Sequence, residues 1–496
     1  MYSKQKIISD TFYYGMNTFT VSILGYIFWV AMAKLLSVNN YGVLTMIFAL
    51  YGLFLTFMTL NIQEVFGKMI PQYHAKNESN KISELLRFSF KIILKSTIVS
   101  IFIIAIIYML ATNLVSHMQE IVFWATILSV FGVFYIFLRG ILFGHSLFKK
   151  IFIIDTISHG IKPLVAVMFV IYGLYLGGVF AWIITFLIAS FIFFLHIKNI
   201  IFKNKPASDT LHDKKDIYDN ISSSFISNIS IFLILQSGTI ILGIINISSA
   251  GLWGATIIIG QILLLFPSII QGSILPTISS LVIKDFKKAE EVLNRSIKYI
   301  LIILIPIAIA FTILSKQAIL LLYKTEYLSI AGILPIYLSG IIFFSLAFII
   351  FSTAFSAGLQ RERSRYMIMS TIICVVLNLI FIIHMSILGA ALSFLITSFM
   401  MFIFSLYILK KLNVKIQLDY FNKFLLIVLL MSITFHFISY YNSKPIWISA
   451  SIFTAIFYIF LIYKLKIIDN IDLDVARFFI FKLKEKRNHF VKARSS

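Results

Sequence analysis

The sequence predicts an all-α integral membrane protein of about 14 transmembrane helices, built as two six-helix repeats followed by two extra C-terminal helices. The first reason is composition, since 60% of the 496 residues are hydrophobic, 12% are charged and the mean hydropathy is +0.98. A soluble chain of this size needs more charge on its surface. The second reason is that apolar runs longer than about 18 residues recur along the whole length.

The third reason is an internal repeat. Residues 82–92 (ISELLRFSFKI) return as residues 289–299 (AEEVLNRSIKY), so that the glutamate, serine and lysine of the first copy meet the same residue types in the second. A chain made of two copies of one hydrophobic block is a common plan for transporters, in which two halves rock around a central site.

Apolar runs of the length that crosses a bilayer set the predicted helices. These lie at 10–33, 41–62, 88–111, 119–142, 151–172, 174–197, 219–243, 250–275, 296–315, 329–353, 366–385, 387–409, 422–441 and 446–464. The short basic lead of residues 1–8 is followed by no small-residue cleavage site, so we expect no cleavable signal peptide.

The net charge of +22 is concentrated in alternate loops. One set of loops carries clusters such as Arg361, Arg363 and Arg365, whereas the other set has only Lys34, Lys316, Lys324 and Lys444. This asymmetry is the positive-inside pattern of membrane proteins. We therefore expect a multi-pass protein of the cell membrane with both termini cytoplasmic, and we expect no nucleic-acid partner.

The predicted organisation follows from the repeat. Its parts are an N-lobe at 1–197, a cytoplasmic linker at 198–218, a C-lobe at 219–410, two further helices at 411–465 and a basic cytoplasmic tail at 466–496. Because each lobe has an even number of helices, the two repeats run in the same direction. Their symmetry axis then lies along the membrane normal, and a cavity can open at the seam between the lobes.

Three ionisable residues of the fifth predicted helix share one face. Asp155, His159 and Lys162 stand at positions i, i+4 and i+7. Ionisable side chains at membrane depth are costly unless they are paired or face water. One interpretation is a cavity-lining stripe, in which Lys162 and His159 meet a diphosphate or sugar and Asp155 takes a proton or positions Lys162. The alternative is a buried Asp–Lys pair, or a helix end at the headgroups.

Other charged residues are also candidates. Arg139 on the fourth helix suits phosphate, because a guanidinium donates two hydrogen bonds at once, although it could instead snorkel to the interface. Lys34 ends the first helix, either at a cavity mouth or as an anchor. Glu64 is placed at the end of the second helix near the outer surface, where it is a candidate for ion coupling together with Asp155, or a solvated helix end.

Neutral amides complete the candidate set. Asn17 on the first helix and Asn228 and Gln236 on the seventh can hydrogen-bond sugar hydroxyls or hold helices together. Charged residues at membrane depth are concentrated in the N-lobe, so we expect any phosphate-binding face to come from helices 1–6.

Enzyme signatures are missing from the sequence. It has no P-loop, no zinc-binding spacing and no credible nucleophile–histidine–acid set, so we expect neither a catalytic site nor a cofactor or metal. The single cysteine, Cys374, lies in an apolar run and is interpreted as core filler. Energy for transport must then come from an ion gradient, the membrane potential or mass action.

Three segments carry a family resemblance. Residues 33–42 (AKLLSVNNYG), 66–76 (FGKMIPQYHAK) and 139–149 (RGILFGHSLFK) resemble, in this order, segments of the polysaccharide-biosynthesis flippases (O-antigen-type, Wzx-like) of the multidrug/oligosaccharidyl-lipid/polysaccharide exporter superfamily. The resemblance covers residues 1–410 and implies a flippase. Its substrate would be a polyprenyl-diphosphate-linked oligosaccharide, moved from the cytoplasmic to the outer leaflet. Membrane lipids, a polysaccharide polymerase and glycosyltransferases of the same pathway are the implied partners.

Two alternatives stay open. A cation-coupled multidrug exporter of the same superfamily would favour a clear intramembrane carboxylate in the first half and twelve helices rather than fourteen. A membrane-embedded polysaccharide polymerase or glycosyltransferase would need a large outer loop bearing catalytic groups, and the predicted outer loops are short.

Overall fold

The computed structural model describes residues 4–76, 78–110, 117–203, 214–284, 286–417, 419–441 and 443–468. Within these ranges the chain is helical and contains no strand. Fourteen of its helical spans are long and apolar enough to cross a membrane. The predicted all-α membrane fold with about 14 spans is confirmed.

The first half of the chain forms seven helices. They are α1 (Lys4–Leu35), α2 (Val38–Thr59), α3 (Ile62–Ala75), α4 (Ser79–Leu110), α5 (Met118–Gly144), α6 (Phe148–Ile171) and α7 (Gly177–Lys203). We call the end of the bundle at the α1–α2 turn the outer end and the opposite end the inner end, following the predicted topology.

The second half forms α8 (Lys214–Ile245), α9 (Ile247–Lys284), α10 (Phe286–Ile313), α11 (Ser315–Leu322), a 3-10 helix (Thr325–Ile330), α12 (Leu334–Ser356), α13 (Gln360–Met385) and α14 (Ile387–Lys411). The last two helices are α15 (Phe421–Ser439) and α16 (Lys444–Lys464). They pack on each other, and α15 also packs against α10. The Tyr458 hydroxyl of α16 donates a hydrogen bond of 2.6 Å to the Ile302 carbonyl of α10.

Several helices are longer than hydropathy predicts. The second span continues beyond residue 62 as α3, α4 begins at Ser79 rather than at 88, and α9 runs to Lys284. Hydropathy reports only the part of a helix in hydrocarbon, and these helices continue as polar turns beyond it. The predicted linker is helical at both ends, with residues 204–213 outside the described ranges. The predicted basic tail also lies outside them from residue 469 onwards.

The second membrane span is broken between α2 and α3. Leu60 and Asn61 both adopt the left-handed conformation, with φ of 49° and 55°. Asparagine tolerates this conformation, but a leucine rarely adopts it. Each such residue costs roughly 1–2 kcal/mol, so the break is a strained joint inside one continuous span.

The two halves meet at the outer end through α2 and α9, which approach closely at glycines. A Cβ atom at Gly42 would lie 2.0 Å from the Ile247 carbonyl oxygen, and one at Gly251 would lie 2.4 Å from the Val38 carbonyl oxygen. Small residues let the backbones of two membrane helices touch in this way. Thr45 reinforces the contact by donating a hydrogen bond of 3.4 Å to the Ala250 carbonyl.

Side chains at the outer end add further contacts between the halves. Ser248 donates a hydrogen bond of 3.3 Å to Asn39, and Lys324 Nζ donates one of 3.2 Å to the Leu36 carbonyl. The second of these bonds connects the segment between α11 and the 3-10 helix to the α1–α2 turn. The outer end of the seam is therefore closed by contacts that involve backbone on both sides.

A second set of contacts joins the halves at the inner end. Lys68 of α3 donates a hydrogen bond of 2.7 Å to Asn220 of α8, and Asn61 Nδ2 lies 3.4 Å from the Ser224 carbonyl. The rings of Phe57 and Phe225 are 5.4 Å apart at the same level. These inner contacts are mostly between side chains, which are easier to separate than the backbone contacts of the outer end.

Gly42→Ala is expected to lower the free energy of unfolding by about 1–3 kcal/mol, because the new methyl group overlaps a backbone carbonyl. The matched control is Gly25→Ala on α1, where no atom lies within 4 Å of the new Cβ. That change is expected to be neutral or to stabilise by about 0.5–1 kcal/mol, since alanine is the better helix former. Unfolding of the detergent-solubilised protein measures both, and equal effects would contradict the close approach of α2 and α9.

Candidate functional site: a buried polar network beside the seam

An ion pair between α5 and α6 lies inside the first lobe. Arg139 Nε donates a hydrogen bond of 3.0 Å to Asp155 Oδ2, and its Nη1 donates one of 2.9 Å to Gln63 Oε1 of α3. The Asp155 side chain is 1% exposed, whereas that of Arg139 is 17% exposed. The carboxylate is thus sealed, and the guanidinium is the more accessible partner of the pair.

Two more donors hold the Asp155 carboxylate. The Tyr135 hydroxyl of α5 donates to Oδ1 at 3.0 Å, and Asn17 Nδ2 of α1 donates to Oδ2 at 3.2 Å. A buried carboxylate is stable only when it is paired and hydrogen-bonded. Four helices of the first lobe, namely α1, α3, α5 and α6, are thereby connected through a single network.

Lys162 occupies a different environment one helical turn beyond His159. Its side chain is 1% exposed, and its Nζ lies 3.2 Å from His159 Nδ1. The ammonium lies 4.0 Å from the ring centroid of Trp182 on α7 and 5.3 Å from that of Phe28 on α1. Aromatic faces attract a cation through their quadrupole, and this attraction increases when the site excludes water.

The predicted pairing of Asp155 with Lys162 is wrong. Asp155 pairs with Arg139, and among the described residues the polar partner of Lys162 is the ring nitrogen of His159. Asp155, His159 and Lys162 are all buried in this conformation, so the cavity-lining stripe stays a prediction. Helical periodicity places the three on one face but does not say which helices that face will meet.

The buried network retains unused hydrogen-bonding capacity. Asn17 Oδ1, His159 Nε2 and Trp182 Nε1 are buried, and none has a partner among the described residues. Such groups are costly inside a protein unless another polar group or water satisfies them. These unpaired atoms are therefore an energetic cost of this conformation.

Glu64 was expected near the outer surface, and this position is wrong. It lies in the first turn of α3, next to Gln63, which bonds Arg139. Since the α2–α3 span starts at the outer end and runs inwards, Glu64 in its second part lies towards the inner end. It is exposed and accepts a 2.6 Å hydrogen bond from Asn61.

The remaining candidates are not brought into this network. Lys34 is exposed at the outer end of α1. Asn228 and Gln236 lie half-buried on α8, and Gln236 Oε1 accepts a hydrogen bond of 3.1 Å from Thr239. Half-exposed amides on a helix that also contacts the first lobe are suited to hydrogen bonding at the seam.

Sequence reasoning missed several partners. Tyr135 lies four residues before Arg139, so the i, i+4 spacing on α5 could have indicated that they share a face. Trp182 comes from a distant helix, and no sequence spacing connects it to Lys162. In the second half Asn378 donates hydrogen bonds to Ser237 at 2.9 Å and to Cys374 Sγ at 3.5 Å. Cys374 is therefore part of a buried polar cluster as well as core filler.

Comparisons with known proteins agree with this architecture. A model of the family described as "Polysaccharide biosynthesis protein" matches residues 7–282, which is more than half of the chain. The solved structure of the lipid II flippase MurJ in an inward closed conformation is similar, with 20% identity, a TM-score of 0.69 and coverage of 90% of this chain and 96% of that one. None of the curated proteins matches the chain in sequence.

A multidrug resistance MATE family transporter of the MOP superfamily in an inward-facing conformation is also similar. It shows 15% identity, a TM-score of 0.61 and coverage of 79% of this chain and 94% of that one. These structural likenesses show a shared helical fold. Taken with the family match over more than half of the sequence, they lead to one conclusion: the chain is a multi-pass membrane protein that belongs to the polysaccharide biosynthesis protein family.

Proposed function

We propose that this protein is a flippase that moves a polyprenyl-diphosphate-linked oligosaccharide from the cytoplasmic to the outer leaflet by alternating access. The observation that carries the proposal is the closed seam between two helical lobes in a member of the polysaccharide biosynthesis family. A fold shared with a lipid II flippase supports a lipid-linked substrate. The protein would act in the cell membrane with both termini cytoplasmic, beside the glycosyltransferases and polymerase of its pathway.

Alternating access requires that the contacts at the two ends of the seam break in turn. The inner contacts, such as Lys68 with Asn220, separate when α3 moves away from α8. This movement would admit the glycan and diphosphate from the inner side while the prenyl chain stays in lipid. The outer contacts between α2 and α9 would then open for release.

Arg139 is the proposed diphosphate contact of the first lobe. Its side chain is partly exposed, it already lies beside α3 of the seam, and Asp155 and Gln63 fix its orientation. Lys162 with His159 would contribute only in a conformation that separates α6 from α1 and α7. Asn17, Asn228 and Gln236 are proposed to bind sugar hydroxyls, and Lys34 is proposed to lie at the outer mouth.

The test is leaflet exchange in vesicles. Purified protein is reconstituted with a fluorescent polyprenyl-diphosphate oligosaccharide, and the quenchable fraction is followed over time. Arg139→Lys keeps the positive charge beside Asp155 but removes the guanidinium, which can donate two parallel hydrogen bonds to a phosphate. Loss of such a bidentate contact is expected to slow exchange about tenfold. Lys316→Gln, an exposed lysine on α11, is the matched control and is expected to match wild type.

The fold similarity to MATE transporters favours one second candidate, a cation-coupled multidrug exporter. In that case a carboxylate would have to exchange between a cation and a proton, and Glu64 is more accessible for this than Asp155, whose oxygens already accept three side-chain donors. Vesicles that extrude a cationic dye under a sodium or proton gradient, without exchanging the lipid-linked glycan, would replace the flippase proposal with this one.

A further inference from the structure

A groove at the inner end of α8 and α13 contains two arginines that the proposed transport cycle does not use. The groove has a volume of about 550 Å³. Its polar lining consists of Asp219, Ser222, Ser223, Gln360, Arg361, Ser364 and Arg365. We call it the α8–α13 groove. Two guanidinium groups beside three hydroxyls provide the donors that a phosphate oxygen accepts.

The arginines of this groove are available to a ligand. Arg361 and Arg365 are exposed, and neither forms an ion pair with a described residue. The nearest acid on the same helix turn, Glu362, already pairs with Lys411 of α14. Asp219 is the acidic residue of the lining, so two positive charges and one negative charge leave the groove cationic.

An apolar stripe continues from the groove along the outward face of α13. Ile368, Ile372, Val376, Leu379 and Ile383 follow Arg361 and Arg365 at helical spacing and are 41–67% exposed. The opposite face of α13 is buried, and Arg363 on that face is 8% exposed with its guanidinium 5.0 Å from the Phe355 ring. The groove therefore lies at the foot of a surface that faces acyl chains rather than the bundle interior.

We propose that the α8–α13 groove binds the phosphate headgroup of an anionic bilayer phospholipid, with one acyl chain lying along the stripe of α13. A basic site at headgroup level that continues into an apolar surface matches the chemistry of such a lipid. Free phosphate has no apolar part that could contact the stripe of α13. The groove also opens on the outward face of α13, away from the buried side that contains Arg363.

This site adjoins the contact between the lobes. Asn220 and Ser224 of α8 meet α3 of the first lobe, while Asp219, Ser222 and Ser223 of the same helix turns line the groove. A bound lipid would fix the start of α8 against α13. It would thereby favour one position of α8 relative to α3, so the anionic lipid content of the bilayer becomes a regulator of inner opening.

Binding of dioleoyl-phosphatidylglycerol to the purified full-length protein tests the proposal, with native mass spectrometry as the readout and dioleoyl-phosphatidylcholine as the reference lipid. Arg361→Gln with Arg365→Gln is expected to weaken phosphatidylglycerol binding about 30-fold, given the usual contribution of each basic residue near a membrane surface. The control is Lys149→Gln with Lys150→Gln, which removes two exposed charges from the start of α6 and is expected to change binding less than twofold.

Asp219→Asn provides a variant whose effect cannot come from misfolding, because it is expected to tighten binding by removing the acid of the lining. Equal loss in both double variants, or no gain with Asp219→Asn, would overturn the site.

Competition experiments distinguish the ligand. Competition by inorganic phosphate would make it a free-phosphate site. Displacement by a polyprenyl diphosphate with the same arginine dependence would assign it to the transported lipid. Because the readout is lipid binding without transport, its failure is separable from failure of the flippase proposal.

Discussion

Cross-linking Asn39 to Ser248 is expected to reduce leaflet exchange to background, and reduction of the link is expected to restore it. The two side chains meet across the outer seam at 3.3 Å, so Asn39→Cys with Ser248→Cys places two thiols within reach of a short bifunctional thiol reagent. The link would lock α2 to α9 at the end that must open to release the substrate. The native Cys374 is buried and is not expected to react.

The matched control uses the same end of the molecule and the same chemistry. Ser386 donates a hydrogen bond of 3.3 Å to Ser249, and both residues belong to the second half. Ser249→Cys with Ser386→Cys therefore creates an equally exposed link that does not cross the seam, and exchange is expected to stay at the wild-type rate. Transport that survives complete cross-linking of positions 39 and 248 would contradict alternating access through the outer seam.

Arg139→Gln is expected to lower the free energy of unfolding by about 3 kcal/mol, because it leaves the Asp155 carboxylate buried without a counter-charge. Adding Asp155→Asn to the same chain is expected to recover most of this loss, since two neutral amides can keep a hydrogen bond where the ion pair stood. Equilibrium unfolding of the detergent-solubilised protein measures both changes.

An exposed ion pair in the same protein serves as the comparison. Lys411 pairs with Glu362 at the inner end, where the side chains are 56% and 30% exposed. Lys411→Gln is expected to cost less than about 1 kcal/mol, because water and salt screen such pairs. If Arg139→Gln costs no more than Lys411→Gln, the network around Asp155 does not depend on its charge.

The fold was predictable because its main determinant is visible along the chain. A helix must be apolar over a set length to cross the hydrocarbon core, and basic residues in alternate loops indicate which side each loop faces. The fourteen spans therefore follow from local sequence. The ends of the helices were less predictable. α3 and the start of α4 mix polar with apolar residues, so their hydropathy signal is weak.

The candidate site was predictable in its residues and not in its arrangement. Arg139, Asp155, His159 and Lys162 stood out because ionisable groups are costly in a membrane. Their partners could not be derived, since α1, α5 and α7 meet α6, and α3 meets α5, only after packing. Asp155 pairs with an arginine on the preceding helix rather than with the lysine two turns further along its own helix. The misplacement of Glu64 had a simpler cause: the second span runs from the outer to the inner end, so its C-terminal end does not lie near the outer surface.

The strained break at Leu60 and Asn61 affects how the two ends of the seam relate to each other. A stiff rod that tilts about its middle must open one end whenever it shuts the other. A rod with a joint need not do this, because each of its two segments can tilt independently. Gly42 and Lys68 lie on opposite sides of this joint, one touching α9 and the other α8. The jointed span can therefore keep its contact with α9 and its contact with α8 at the same time, as it does in this structure.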